Sequence, residues 1–218
     1  MRSNSRRTRK TGRNFNTEAA GIAARAIADD SVRDFDHARR YAQDVLGRDA
    51  KQAEPSNLEI HRALIEHLSL FEYDNQLERV SRLRRVAQRA MEMLADFNPR
   101  LCGPVWSGTA TEATPIALHL ISDETEAVTR FLLGRRIDYE LVEAWFSFPK
   151  DRTPRPLPQF EVMLGGEAFD LSVFPERGAW HHPLSALDGR PVKRVSLSTL
   201  TGTIESAILF PDSTTAAI

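Results

Sequence analysis

The chain has 218 residues, a hydrophobic fraction of 41% and a formal net charge of −1, a composition that allows one good core with a small appendage and excludes fibrous and disordered classes. Its single cysteine cannot form an internal disulfide, which favours a reducing compartment. No apolar run approaches the roughly 18 residues that a membrane helix needs, and the N-terminus lacks the apolar part of a secretory signal, so we expect a cytoplasmic protein without membrane contact.

Basic residues crowd the first 14 residues of the chain, which contain no aliphatic side chain after Met1. The basic residues are Arg2, Arg6, Arg7, Arg9, Lys10 and Arg13. Such a segment cannot bury apolar surface, so residues 1–14 are predicted to be a disordered basic tail. The tail is interpreted either as a solubilising segment or as a weak, salt-sensitive contact to nucleic acid.

Residues 15–98 are predicted to form a helical region. An alanine-rich segment that begins at Thr17 favours the first helix, since alanine loses no side-chain entropy in a helix. Ser31 and Asp34 have the spacing of a capping box for a second helix, which Gly47 ends. A third helix is predicted after a cap at Ser56 or Asn57.

A longer helix is predicted from about Gln76 to Phe97, with arginines three or four residues apart on one side. These are Arg79, Arg82, Arg85 and Arg89. Arginines at this spacing share a broad face and can meet phosphates along a nucleic-acid backbone. The alternative interpretation is a solvated helix face, because Glu78 and Glu92 partly neutralise the surface.

After residue 98 the sequence changes from helical periodicity to short apolar runs bounded by turn residues. Strands are predicted at residues 101–106 and 116–121, followed by a crossover helix that ends at Gly134. The predicted fold class is therefore α+β, with an N-terminal helical region in front of a small mixed sheet over residues 99–210.

The clearest local pattern is a hairpin around Gly165-Gly166, because two glycines supply the positive φ angles of a tight turn. Apolar residues alternate on both sides of the turn: Phe160, Val162, Leu164, Phe169, Leu171 and Val173. This alternation predicts two antiparallel strands of one sheet. A final helix is predicted to start at Ser196 or Ser198, and residues 211–218 are expected to be flexible.

The segment from Gly103 to Leu120, with the sequence GPVWSGTATEATPIALHL, is a glycine-punctuated turn that leads into a short apolar strand. It resembles the nucleotidyltransferases of the polymerase-beta superfamily, which carry a glycine-serine turn, an Arg-Gly-Thr-Ala-like segment and a strand whose two aspartates hold metal. Gly103 takes the place of the first glycine, and Gly108-Thr109-Ala110 and the strand that follows have matching spacings. The resemblance implies a nucleotidyltransferase-like domain behind a helical appendage.

The residues that carry the chemistry of that family are missing at the matching positions. Pro104 stands where the serine belongs, and Pro115 and Ala117 stand where the two aspartates belong. Nucleotidyl transfer needs magnesium, which takes hard oxygen ligands, chiefly carboxylates. The resemblance therefore implies a degenerate member, a pseudoenzyme without transferase activity, that keeps the cleft as a binding or regulatory surface for nucleotide or nucleic acid.

Asp170 resembles the third carboxylate of the family, which lies on a later strand between apolar neighbours. It is the candidate remnant of the catalytic and metal site. The alternative is an aspartate on the solvent face of an alternating hairpin. An active enzyme with displaced ligands also stays open, in which Asp170 binds Mg²⁺ together with Asp123, Glu112 or Glu161.

The glycine turn itself supplies the candidate nucleotide-binding residues. They are Gly103, Ser107, Gly108 and Thr109. Hydroxyls and backbone amides of such a turn can hold a phosphate, although most turns of this kind are structural.

His119 would lie on the same face of its strand as Ala117, because alternate residues of a strand share a face. Together with His181 and His182 it is a candidate ligand for a transition metal. The alternative is an ordinary core or surface histidine.

Overall fold

The structure, a computed structural model, describes residues 4–47, 54–149, 153–176 and 183–209, with side chains from residue 15 to residue 206 within those ranges. The described residues contain a helical N-terminal region and a five-stranded mixed sheet, so the predicted α+β class is confirmed. Two compact units make up the chain. No helix in the described ranges combines the length and the apolar character needed to span a membrane.

The first unit contains three helices: α1 (Asn4–Ala28), α2 (Phe35–Leu46) and α3 (Asn57–Phe71). Their shared core consists mainly of alanines, which allow close approach of the helix backbones. The buried residues of this core are Ala19, Ala20, Ala23, Ala38, Ala42 and Ile60. Residues 111–113 and 186–188 also belong to this unit.

Helix α1 begins at Asn4, whereas the sequence predicted a disordered tail over residues 1–14 and a helix only from Thr17. Arginine and lysine are good helix formers, and no proline lies between Asn4 and Ala28. A helix that has formed in the alanine-rich segment therefore extends towards the N-terminus at little cost, because propagation is easier than nucleation. Residues 1–3 lie outside the described part.

The cap of α2 also differs from the prediction. Asp34 is the N-cap, and its carboxylate accepts the backbone N–H of His37 at 2.8 Å, so the predicted pairing with Ser31 is wrong. Helix α3 has the predicted cap, since Ser56 and Glu59 form a complete capping box.

The second unit contains the sheet and the rest of the helices. Its elements are α4 (Tyr73–Met93, from Leu77 onwards), a 3-10 turn (Ala95–Phe97), β1 (Arg100–Cys102), α5 (Gly103–Ser107), β2 (Ile116–Ile121), α6 (Thr125–Gly134), β3 (Tyr139–Phe146), β4 (Arg155–Leu164), β5 (Glu167–Phe174) and α7 (Leu197–Leu209). The strand order is β1-β2-β5-β4-β3. Strands β2 and β5 are parallel, and the other neighbours are antiparallel.

One face of the sheet packs against helices to form the main core. Leu118 and Leu171 on the sheet share this core with Met91 of α4, Leu132 of α6 and Leu200 of α7, and all five are buried. Because α4 joins this core from Leu77 onwards, the chain divides within α4, whereas the sequence predicted a boundary at residues 98 and 99.

The predicted hairpin is confirmed. Strands β4 and β5 are joined by Gly165 and Gly166, whose φ angles are +61° and +86°, as a two-residue hairpin turn requires. Its six predicted apolar residues are all buried on the core side: Phe160, Val162, Leu164, Phe169, Leu171 and Val173.

The predicted strand over residues 101–106 is wrong beyond Cys102. Gly103 has φ +71°, which ends the extended strand, and Pro104 then occupies the first turn of the short helix α5. Proline suits that position, because the amide that it lacks has no helical partner there. Gly108, in the left-handed conformation, ends α5.

Candidate functional site

The face of the sheet opposite the core carries a group of polar residues. Strand β2 alternates, so Ile116, Leu118 and Leu120 enter the core, and Ala117 and His119 face the other way. Strand pairing extends this second face across three strands. We call it the polar face, and its residues are Ala117, His119, Gln159, Glu161, Asp170 and Ser172.

Ala117 and Asp170 are direct partners on the parallel strands β2 and β5. Partners in register share a face of the sheet, so Asp170 and Ala117 project from the same face, next to each other. Gly103 adjoins the same place, because a Cβ atom at Gly103 would lie 3.6 Å from the Cβ of Ala117. Three positions that are distant in sequence therefore meet on the polar face.

Helix α5, which begins at Gly103, is held by Arg84 of α4. The Arg84 guanidinium donates to the carbonyl oxygens of Val105 and Trp106, at 3.2 and 2.7 Å, and lies 5.5 Å from the centre of the Trp106 ring. These bonds satisfy carbonyl groups at the end of a short helix. Burial lowers the pKa of Arg84. Arg84 was not among the arginines singled out from the sequence.

Asp170 is a partly desolvated carboxylate. Burial raises the pKa of Asp170, and the neighbouring carboxylate of Glu161 raises it further. Within the described residues, nothing donates a hydrogen bond to the Asp170 carboxylate. Asp170 thus faces the polar side of the sheet with a charge that the fold leaves uncompensated.

The displaced metal ligands considered from the sequence are only partly brought together. Glu161 is the direct partner of Asp170 across β4 and β5. Asp123 accepts the backbone N–H of Glu176 at 2.9 Å and so ties down the loop after β5. Glu112 belongs to the other compact unit. In the part of the chain that is described, no group of three or more histidine, cysteine, aspartate or glutamate residues converges as metal ligands would.

In the glycine turn at the end of α5, the backbone amides form hydrogen bonds within the segment itself. The backbone N–H groups of Gly108 and Thr109 both donate to the carbonyl oxygen of Pro104, at 2.8 and 3.0 Å, and the hydroxyls of Ser107 and Thr109 lie 3.1 Å apart. Thr109 is buried. This arrangement favours the structural interpretation of the turn over a phosphate-binding nest. A Cβ atom at Gly103 would contact Ala117, whereas one at Gly108 would have nothing within 4 Å.

His119 is buried and accepts a hydrogen bond from Arg194. The Nε of Arg194 donates to Nδ1 of His119 at 2.7 Å, so Nδ1 carries no proton and the imidazole is neutral, with its proton on Nε2. The rings of Phe146 and Phe174 flank His119, with centroid distances of 5.8 and 4.4 Å. The predicted companions of His119, His181 and His182, lie outside the described residues.

Arg194 is the functional candidate that sequence reasoning missed. It lies between Lys193 and Val195, a stretch with no motif around it, and it reaches the polar face because Val195 bridges to Leu101 of β1. Its guanidinium lies 4.3 Å from the centre of the Phe174 ring. Burial lowers the pKa of Arg194 to about 10, and Arg100 contributes to the shift.

The predicted arginine face on α4 is only partly open to solvent. Arg82 forms an ion pair with Glu167, and Arg79 is half-buried, whereas Arg85 and Arg89 are exposed. Two of the four predicted nucleic-acid contacts are therefore presented to solvent without an ion-pair partner among the described residues.

Comparisons with known proteins add no relative to this picture: no family model, no curated protein and no solved structure matched the chain. The arrangement of the polar face is therefore the main guide to function.

Proposed function

We propose that the protein is a degenerate nucleotidyltransferase-like protein whose polar face is a binding surface. One observation carries the proposal, namely the meeting of Gly103, Ala117 and Asp170. The resemblance matched these positions to the first glycine, the second aspartate and the third carboxylate of the family. Neither composition nor local patterning requires them to adjoin, so their proximity supports the match.

The same arrangement argues against catalysis. Position 117 offers only a methyl group, Pro115 precedes β2 and offers no ligand, and Asp170 has Glu161 as its carboxylate neighbour. A reaction centre of the nucleotidyltransferase type needs convergent carboxylates to hold magnesium against developing phosphate charge. We therefore infer that the face binds its ligand without transferring a nucleotidyl group.

Restoring the missing carboxylates tests the match. In a Pro115→Asp/Ala117→Asp variant, the new groups would lie beside Asp170, and the absence of a Cβ at Gly103 leaves space near position 117. Mn²⁺ binding, followed by electron paramagnetic resonance, should tighten by at least about tenfold, since even the loss of a ligand's hydrogen-bond partner changes metal affinity by that much. Adding Asp170→Asn should reverse the gain.

An Ala144→Asp variant is the matched control, because it adds a carboxylate to β3, the edge strand two places from β5. It should leave Mn²⁺ binding near that of the parent chain. Equal tightening in the control and the restored variant would show that position 117 has no special relation to Asp170, and the proposal would fail.

The competing active enzyme is tested with labelled nucleoside triphosphates and nucleic-acid acceptors in the presence of Mg²⁺. We expect no labelled acceptor from the parent chain. Labelling that disappears in both Asp170→Asn and Glu161→Gln would show that this carboxylate pair holds a catalytic metal ion and that the protein is an active transferase.

Nucleic-acid binding through α4 is a second proposal. It is supported by the exposure of Arg85 and Arg89, which lie four residues apart on one side of the helix. Neither has an ion-pair partner among the described residues, so both guanidinium groups are available to phosphates.

A further inference from the structure

Arg194 is a cation without a counter-charge in the described part of the chain. Its Nε donates to His119, but its buried NH2 group has no hydrogen-bond partner. Buried polar groups are nearly always satisfied, and an unsatisfied one in a native fold calls for an ion, a water or a ligand. A charged donor that lacks a partner is the costliest case.

The surroundings of Arg194 do not neutralise it. His119 is neutral, because its Nδ1 accepts the Arg194 bond. The thiol of Cys102 stays protonated, since burial raises its pKa to about 12. Arg100, the direct partner of His119 across β1 and β2, adds a second positive charge. The β1 side of the polar face therefore carries two guanidinium groups, and neither forms an ion pair within the described chain.

Asp170 does not supply the missing charge. Both Asp170 and Arg194 act electrostatically on Cys102, so both lie near that thiol, yet the two form no ion pair with each other in the described structure. A fold that used them to balance each other would bring them into contact. Their separation instead leaves a positive and a negative group on one face, next to the positions of Gly103 and Ala117.

We propose that Arg194, assisted by Arg100, binds a phosphate group of the ligand directly, so that binding at the polar face does not depend on a divalent metal ion. This inference rests on the proposed function and adds the means of recognition. A guanidinium is suited to the role, because its planar donors match the oxygens of a phosphate in a bidentate fashion. The arginine charge then neutralises the phosphate, as metal ions bound by aspartates do in a catalytic site.

Access to the guanidinium is compatible with this role. The NH2 atom is covered, but the Arg194 side chain as a whole is only partly buried. Contact of the NH2 group with a ligand requires a change of side-chain rotamer, and the bridge between Val195 and Leu101 anchors the backbone beside it. A ligand phosphate would then supply the hydrogen-bond partner that the NH2 group lacks.

The test is isothermal titration of the full chain with ATP and with inorganic triphosphate, in EDTA and in Mg²⁺. We expect both probes to bind in EDTA. Arg194→Met should weaken binding by roughly 10- to 100-fold, which corresponds to the loss of one hydrogen bond to a charged group. Arg194→Lys should retain part of the affinity, because it keeps the positive charge. Asp170→Asn should not weaken binding in EDTA.

Lys193→Met is the matched control. Lys193 is the neighbouring exposed cation and lies over the Trp106 ring at 5.3 Å, so its loss changes net charge equally and should leave the affinity nearly unchanged. Thermal unfolding and circular dichroism establish whether each variant is folded. If Arg194→Met is not folded, the affinity of the Arg194→Lys variant tests the inference instead.

Two outcomes separate the two proposals. ATP binding that requires Mg²⁺, is lost in Asp170→Asn and is unchanged in the Arg194 variants would overturn the inference and leave the proposed function standing. Triphosphate binding through Arg194 without any binding of ATP would uphold the phosphate site and contradict the nucleotidyltransferase-like function. Absence of binding to either probe in both conditions would overturn both.

Discussion

Ala117 on β2 and Asp170 on β5 lie directly beside each other across a parallel strand pair. Neighbouring strands are about 4.8 Å apart, so a carboxylate at position 117 would meet that of Asp170 without a change in the backbone. The present pair instead sets a methyl group beside a partly buried carboxylate. No group at position 117 therefore compensates the charge of Asp170. The effect of this arrangement on the pKa of Asp170 can be measured.

The first prediction is that Asp170 opposes folding at neutral pH. Its pKa in the folded chain is raised by burial and by Glu161 above the ordinary value of 3.8, so the protonated form is favoured in the fold. The resulting stability is complete below about pH 4 and is lost as the pH rises through the folded-state pKa of Asp170. Asp170→Asn should therefore increase the free energy of unfolding at pH 7 and not below pH 4.

Urea denaturation of the parent and the variant at a series of pH values from about 3.5 to about 8 measures this difference. A Glu161→Gln variant should lower the pKa of Asp170 part of the way, because burial, the larger cause, stays. A pH-independent difference between parent and Asp170→Asn would contradict the assignment of Asp170 to a desolvated position.

The second prediction concerns Gly103. Its φ of +71° is unfavourable for any residue with a Cβ, whereas the space around it admits a methyl group, since the nearest atom would be 3.6 Å away. Gly103→Ala should therefore cost about 1–2 kcal/mol of stability through the backbone conformation alone. Gly21, inside α1 with nothing within 4 Å of an added Cβ, is the control, and Gly21→Ala should stabilise by about 0.5–1 kcal/mol.

Opposite signs for these two glycine substitutions, read from chemical denaturation, would confirm the strand-ending conformation at Gly103. A neutral Gly103→Ala would mean that the backbone relaxes to a negative φ there, and the adjacency of Gly103 to Ala117 would lose its support.

The third prediction tests the arginines of α4. If Arg85 and Arg89 contact nucleic acid, the Arg85→Gln/Arg89→Gln variant should bind a mixed-sequence RNA or DNA more weakly than the parent chain. The slope of log affinity against log salt should also become shallower, by about 0.7–0.9 for each phosphate that is no longer neutralised. Fluorescence anisotropy over a salt series gives both quantities. The control variant Arg40→Gln/Arg62→Gln removes two exposed arginines from the helical unit and should change neither the affinity nor the slope. An unchanged slope in the α4 variant would show that this helix does not contact nucleic acid.

Local patterns predicted the local structure well. The hairpin around Gly165-Gly166 follows from alternation and turn chemistry within about 15 residues, and the strand at residues 116–121 follows from an apolar run of strand length. Errors arose where one local signal competed with another. The apolar side chains of Val105 and Trp106 favoured a strand, but Gly103 and Pro104 imposed a turn and a short helix.

The assembly of the polar face was less accessible from the sequence. The parallel pairing of β2 with β5 is a long-range contact, and no local pattern in the sequence brings Asp170 beside Ala117. Arg194 had no signal at all, because an arginine in an irregular segment acquires its role from the bridge between Val195 and Leu101. Such roles depend on tertiary contacts that no periodicity records.

The last prediction concerns the tautomer of His119. Arg194 Nε can only donate, so Nδ1 of His119 must accept and the proton must lie on Nε2. His37 provides an internal control with the opposite tautomer or a full charge, because its Nδ1 lies 2.6 Å from a carboxylate oxygen of Asp34 and must carry a proton. Nitrogen chemical shifts measured by long-range proton–nitrogen correlation near pH 7.5 distinguish the two rings.

We expect His119 to show one neutral tautomer in the parent chain and a changed or mixed pattern in Arg194→Met, where the donor to Nδ1 is gone. The His37 pattern should be the same in both. A proton on Nδ1 of His119 in the parent chain would mean that Arg194 does not donate to this atom. The guanidinium would then have other partners, and the proposed phosphate site would lose the hydrogen bond from which it was inferred. The neutral tautomer, in contrast, leaves the positive charge of Arg194 uncompensated by its closest polar neighbour.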